Sequence, residues 1–447
     1  MKLVCSGPGL FDVSAARSAA PEGALSSGQE ESIEQPVLSQ SILNIADKRR
    51  SNPLTWKGQF SPQLVEAHLL AYAQPGDCVL DPFAGSGTVM FEGLRAGMQP
   101  IGVEINPAAV TLARLYSSAG VEQSKRCAAL ASVERALDRV AARFATVDGL
   151  LTDEPGAAVP SVLSLLNEFP RPSLELDFVE ALIVSCDVYQ RPPWSSIAKR
   201  WQELRALVAS LPFAATAPRM YLADARALPV EDASVELVFT SPPYINVFNY
   251  HQQYRASVEA IGWDVLPIAR SEIGSNRKFR GNRLFTVTQY CLDMALCLLE
   301  VRRVIKPDGR AIFVVGRESN VRKTAFFNGD ILAALARESA GFEIALQQER
   351  VFQNRFGVAI IEDILHLKKD EHPPRSKERA LTTARLVAKR VLGEVRLRAS
   401  EASIVADIDE AITKVDDIEP SPLVGLAGEQ RLTSTLHAER RSDTPRI

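Results

Sequence analysis

Short apolar runs alternate with helical segments along most of this chain, and each run ends on glycine, an acid or proline. CVLDPF (78–83) predicts a strand and GTVMFEGLRAGM (87–98) the helix behind it. PIGVEIN (100–106) predicts a second strand, and PAAVTLARLYSSA (107–119) a second helix opened by proline. MYLAD (220–224), VELVFTSPPY (235–244) and RAIFVVG (310–316) add three strands, with a helix near 286–304. FEIALQQERVF (342–352) and AIIEDILHLKK (359–369) predict a closing hairpin around RFG. Strands joined by helices predict an α/β fold: a mostly parallel, doubly wound sheet with a terminal antiparallel hairpin. Ligands of such sheets bind at the carboxyl ends of the strands.

The flanking segments read differently. SPQLVEAHLLAYA (61–73) predicts a helix with Ser61 as its cap and Pro62 in its first turn. Residues 1–50, rich in Ser, Ala, Gly, Glu and Gln, are expected to be disordered. Residues 51–119 and 216–373 form the expected catalytic domain, interrupted by a helical insertion at 120–215. Residues 374–447 are expected to be a charged, partly helical tail, with Leu381, Ala384, Leu386, Val391 and Val395 as its apolar stripe and its last 30 residues loose.

Composition excludes several classes. Of 447 residues, 46% are hydrophobic and 23% charged, as in a soluble globular protein. A net charge of −3 excludes a polybasic coat protein, but Arg270 to Lys323 holds 12 Lys or Arg against 5 Asp or Glu. Such a stretch suits phosphates or a solvated face. Six cysteines without a Cys-x-x-Cys pair, and five histidines, predict no metal site and a reducing setting. The N-terminus does not read as a signal peptide, and no window approaches the roughly 18 apolar residues of a membrane span. A cytoplasmic protein is expected.

The chemistry lies at the strand ends. In DPFAGSGT (81–88), Gly85 and Gly87 permit a tight turn and close approach of a ligand to the backbone. No Gly-Lys-Ser/Thr follows, so the turn is not a P-loop, and the full Gly-x-Gly-x-x-Gly fingerprint is absent. Glu104, about 20 residues on, is placed to accept both hydroxyls of a ribose. Asp224, ending a third strand, could accept an adenine amine. In TSPPY (240–244), Pro242 and Pro243 stiffen the chain and leave the Pro242 carbonyl as an aimed acceptor. Ser241 adds a hydroxyl and Tyr244 an aromatic face, which together suit a flat ring carrying an amine.

DPFAGSGT, GVEIN and TSPPY, in that order, resemble the S-adenosylmethionine-dependent DNA amino-methyltransferases, which act on cytosine N4 or adenine N6. WKGQFSPQLVEAHLL (56–70) resembles the family's first cofactor motif, and LLEVRRVIKPDGRAIFVVG (298–316) the region after its catalytic motif. The likeness covers about 55–120 and 218–370, and it implies a class I (Rossmann-like) methyltransferase fold. It implies S-adenosylmethionine as cofactor, bound by Phe60, Asp81, Phe83, Gly85, Gly87, Glu104 and Asp224, with Phe60 near the methionine end. It implies Ser241, Pro242, Pro243 and Tyr244 as the catalytic residues, acting on a base flipped out of DNA. Carbon-5 methyltransferases use a Pro-Cys nucleophile, and this sequence contains no Pro-Cys dipeptide.

Ser241, where many adenine enzymes have Asp, favours cytosine N4. In many Ser-Pro-Pro-Tyr members the catalytic motif comes first; here it follows the glycine motif. Asn246, Asn249 and Tyr250 are candidates for the flipped-base pocket, and Arg277, Lys278, Arg280 and Arg283 for phosphate contacts. Target recognition falls to the insertion or to the loop after Tyr244. The implied partners are DNA and a restriction endonuclease or defence system, with no membrane. An RNA base-amine methyltransferase and a non-catalytic cofactor- or DNA-binding subunit remain as alternatives.

Overall fold

The computed structural model describes residues 37–143, 154–245, 250–275, 279–354 and 356–423. A short helix α1 (Gln40–Asn44) precedes α2 (Pro62–Tyr72). Then come β1 (Cys78–Asp81), α3 (Thr88–Arg95), β2 (Gln99–Glu104) and α4 (Pro107–Ala113). The insertion holds α5 (Gln123–Ala142), α6 (Val159–Ser164), α7 (Leu174–Ser185) and α8 (Trp194–Ser210). β3 (Arg219–Leu222) and β4 (Val235–Thr240) follow, then α9 (Arg255–Ala260), α10 (Val265–Ser271), α11 (Phe285–Val304) and β5 (Ile305–Gly316). A small hairpin, β6 (Glu318–Val321) with β7 (Thr324–Phe327), leads to α12 (Asn328–Leu335). The long hairpin β8 (Phe342–Gln353) and β9 (Ala359–Lys369) precedes α13 (Lys377–Arg398) and α14 (Ala402–Thr413).

The main sheet has seven strands in the order β3-β2-β1-β4-β5-β9-β8. The first five are parallel, and β9 runs antiparallel between β5 and β8. This is the mostly parallel, doubly wound sheet with a terminal antiparallel hairpin that the sequence predicts. The chain winds outward from β1 to β3 and returns to β4 on the other side of β1. The order therefore reverses between β1 and β4, and a crevice opens there at the strands' carboxyl ends.

Both faces of the central strands are buried, which explains their continuous apolar runs. Leu237, Phe239, Ile312 and Val314 pack toward α2. Val238, Ala311, Phe313 and Val315 alternate with them and pack toward α11 and α13. A separate apolar cluster joins α4 to the helices of the insertion.

The flanks depart from expectation. Residues 1–36 lie outside the described residues, but α1 is docked on β8 rather than loose. Gln40 Nε2 donates to the Glu349 carbonyl (2.8 Å), Asn44 Oδ1 accepts from Val351 N (2.8 Å), and Leu43 is fully buried. The segment from 377 is not a tail: α13 packs on α11 through Ala380, Ala384, Val387, Ala388, Leu392 and Val395. Leu386, expected on the apolar stripe, is 58% exposed, because small alanines bring the other face of the helix against the core. Residues 418–423 are likewise anchored, as described below. Ser61 starts α2, but its hydroxyl makes no capping bond. The helix expected through residue 119 tightens after Ala113 into a 3-10 helix, Arg114–Gly120.

Candidate active site

The crevice at the strand reversal is a cleft of about 870 Å3, including its open mouth. Its floor is the turn after β1. Gly85 (φ +51°) and Gly87 (φ +86°) adopt the left-handed conformation that favours glycine. A Cβ on Gly85 would stand 2.9 Å from Trp56 Cδ1, so the turn has no room for a side chain.

Glu104 ends β2 and braces this turn. Its Oε2 accepts from Gly85 N (3.0 Å) and its Oε1 from Asn106 N (2.8 Å). Burial raises its pKa from the ordinary 4.5 to about 7, against the lowering effect of those backbone bonds. Asp81 ends β1 and is also raised to about 7 by burial, opposed by bonds from Thr240 and Phe83. Its Oδ1 accepts from Thr240 Oγ1 (2.6 Å) and Phe83 N (3.0 Å). Thr240 is the last residue of β4 and directly precedes Ser241, so Asp81 ties the glycine turn to the Ser-Pro-Pro-Tyr segment. Phe60 lines the cleft and packs on Phe239 with ring centroids 5.0 Å apart.

Asp224 reaches the cleft wall, but its carboxylate is already engaged. Oδ1 accepts from Arg226 N and Nε (both 2.9 Å), and Oδ2 from Arg226 Nη2 (2.6 Å) and Ser271 Oγ (3.3 Å). Asp224 thus lines the cleft beside Ala225 and Ile105 with both carboxylate oxygens already accepting bonds. The buried Arg226 guanidinium also binds Asp293 (2.6 Å) and the Ser421 carbonyl (2.7 Å), which anchors the C-terminal segment behind the cleft.

Ser241 and Pro243 line the cleft, while Pro242 is buried. Ser241 Oγ lies 3.2 Å from the Tyr244 hydroxyl. The Tyr244 ring packs on Gly316 at the end of β5, where a Cβ would be 3.0 Å from Cε2. Burial pushes its phenol up to about 12, so it remains protonated at neutral pH. Ser241, Phe60 and Gln59 also border a second, more open groove, walled by the β8–β9 hairpin and residues 44–62. Ser241 thus stands where the closed cleft meets the groove.

Of the nucleic-acid candidates, Asn246, Asn249, Arg277 and Lys278 lie outside the described residues. Tyr250 lines the cleft, where its carbonyl is held by Asn106 Nδ2 (3.0 Å). Arg280 and Arg283 are exposed and border neither cleft nor groove. They flank Asn282, which is bonded to the Asp407 carbonyl of α14.

Several cleft residues escaped the sequence reading. Gln59 donates to Ser86 Oγ (2.5 Å), and Trp56 covers Gly85. Both lie in the 56–70 motif, which was the available signal. Glu272, paired with His251 Nδ1 at 2.7 Å, is brought in by the loop before α11 and had no signal. Among the described residues, no group of three or more His, Cys, Asp or Glu could hold a metal ion.

Parts of the chain resemble known proteins. Residues 22–115 match a family model for N6/N4 DNA methyltransferases, described as DNA methylase. The type II methyltransferase M.MjaII of Methanocaldococcus jannaschii is 44% identical over 52 residues, which are 12% of this chain and 10% of that protein. M.XycI of Xanthomonas campestris pv. cyanopsidis is 48% identical over 54 residues, 12% of this chain and 18% of that protein. The chain thus spans under a fifth of the length of these relatives. A solved methyltransferase from Methanosarcina mazei aligns with 68% of this chain and 97% of its own, at 12% identity and a TM-score of 0.31. The residues that match the DNA methylase model include the glycine turn and the β2 end that build the cleft floor. No helix among the described residues is long and apolar enough to cross a membrane.

Proposed function

We propose that this chain transfers a methyl group from S-adenosylmethionine to an exocyclic amine of a base in DNA, cytosine N4 in preference to adenine N6. The observation that carries this reading is the position of Ser241 between an acid-lined cleft and an open groove. Asp81, Glu104 and Glu272 on the cleft walls disfavour a phosphate-rich dinucleotide. They favour a ligand with ribose hydroxyls and positive charge, which S-adenosylmethionine has in its ammonium and sulfonium groups. When bound, it supplies an electrophilic methyl.

The chain's own residues do the positioning. Glu104 accepts the ribose hydroxyls while its bond to Gly85 keeps the turn in place. Phe60 lies at the cleft's junction with the groove, where the methionine end is expected. On the groove side, Ser241 Oγ and the Pro242 carbonyl accept the two amine hydrogens. This draws the nitrogen lone pair out of conjugation with the ring and toward the methyl. Nitrogen–carbon bond formation and carbon–sulfur cleavage then occur together, and the amine proton leaves to solvent. Orientation and aimed dipoles supply the catalysis, with no covalent enzyme intermediate.

Ser241 in place of Asp supports cytosine as the target. The names of the relatives support a role as the modification half of a restriction system. Methylome sequencing of DNA from cells expressing the chain, against an empty vector, tests all of this. Methylcytosine at N4 in a fixed sequence context is the expected result. Label entering RNA alone, or neither polymer, would replace it with an RNA enzyme or a non-catalytic subunit.

A further inference from the structure

Arg350 lies on β8 directly opposite Glu362 of β9, and only 5% of it is exposed. Its Nε is 3.3 Å from Glu362 Oε2, and its guanidinium carbon sits 4.3 Å from the centroid of the Phe352 ring. These two neighbours hold the guanidinium, Nε through the ion pair with Glu362, while Nη1 has no hydrogen-bond partner. Unmet donors on a buried cation are costly, so such a group is normally kept where a partner arrives. The groove it lines is the one bordered by Ser241 and Glu362. Tyr244, whose hydroxyl is 3.2 Å from Ser241 Oγ, lies within the electrostatic reach of both Arg350 and Glu362.

We propose that Arg350, oriented by Glu362 and Phe352, reads the target base by donating hydrogen bonds to the acceptors beside its reactive amine. The inference rests on the amine-methyltransferase reading above. A base edge suits this arrangement better than a phosphate, because a phosphate approaching Arg350 would also meet the Glu362 carboxylate. The edge also distinguishes the two candidate bases. With its amine held between Ser241 and Pro242, cytosine presents N3 and then O2, two acceptors in the plane of the ring. Adenine presents N1 and then a carbon-bound hydrogen. The planar fork of arginine matches two adjacent acceptors, and an ammonium does not.

The test uses the full chain, S-adenosylmethionine and a duplex carrying the sequence found by methylome sequencing, and the same duplex with adenine at the target position. Arg350→Met should lower kcat/KM on the cytosine duplex about 10- to 100-fold, the value of a bidentate base contact. The preference for cytosine over adenine should fall by a similar factor. Cofactor affinity and the salt dependence of DNA binding should not change, and Arg350→Lys should recover only part of the preference. An unchanged preference overturns the inference. If the salt slope also falls by about one, Arg350 contacts a phosphate instead. Should Arg350→Met fail to fold, Arg350→Lys decides alone: full retention of the preference overturns base reading. A wild-type chain that binds S-adenosylmethionine but labels no DNA overturns the parent reading, and this inference with it.

Discussion

Thr240 donates its hydroxyl to Asp81 across 2.6 Å, joining the strand end before the glycine turn to the strand end before Ser241. The glycine turn and the Ser-Pro-Pro-Tyr segment are therefore tied by one buried hydrogen bond. Thr240→Val keeps the shape and removes the donor. Loss of a bond to a buried carboxyl should cost about 1–3 kcal/mol in denaturant unfolding. Methyl transfer should fall more than global stability accounts for, which single-turnover assays at a temperature well below unfolding would show.

Glu104 sets a pH dependence. Its carboxyl titrates near 7 in the folded chain and near 4.5 when unfolded. The unfolded chain loses this proton first, so the group's contribution to stability declines as pH rises from about 4.5 to 7 and is flat above. Ribose hydroxyls favour the ionised form, so cofactor affinity should rise with pH, by up to about tenfold per unit below 7, and level off above it. Calorimetric titration between pH 5.5 and 8.5 checks this. Glu104→Gln should bind more weakly and lose this group's share of the pH step, leaving any due to Asp81.

Tyr244→Ala removes the ring that packs on Gly316 beside Ser241. Methyl transfer should drop at least about 100-fold, the order seen when a positioned transition-state contact is lost. Cofactor affinity should survive, because Tyr244 does not line the cleft. Tyr244→Phe keeps the ring, loses the hydroxyl contact to Ser241, and should fall between the two. Normal turnover by Tyr244→Ala would disprove the site.

Arg226 neutralises two buried acids, Asp224 and Asp293, each at 2.6 Å. Arg226→Met leaves both without their cation and should cost about 3–5 kcal/mol. The C-terminal segment should also release, since the Arg226 bond to the Ser421 carbonyl is lost. Faster proteolysis beyond residue 413, compared with wild type, is the readout.

Much of the site was legible in the sequence because it is built from local signals. Gly85 and Gly87 need positive φ, Glu104 and Ser241 terminate apolar runs, and the sheet follows from strand–helix alternation. What chain neighbours do to one another was less visible. Nothing in YLADAR shows that Arg226 folds back onto Asp224 instead of facing solvent. Tyr250 stood out in the sequence only for its polar and aromatic neighbours, and nothing local shows that Asn106 holds its backbone at the cleft.

By itself, then, the sequence determined the strands, the glycine turn, the acid at the end of β2 and the Ser-Pro-Pro-Tyr segment, because each depends on backbone preference and burial over a few residues. Only the tertiary structure decided how distant segments combine. It placed α13 in the core, drew Ser421 to Arg226 across 195 residues, and brought Arg350, Glu362 and Ser241 to the lining of one groove. Strand order fixes those meetings, and strand order is a property of the whole sheet that no local spacing encodes.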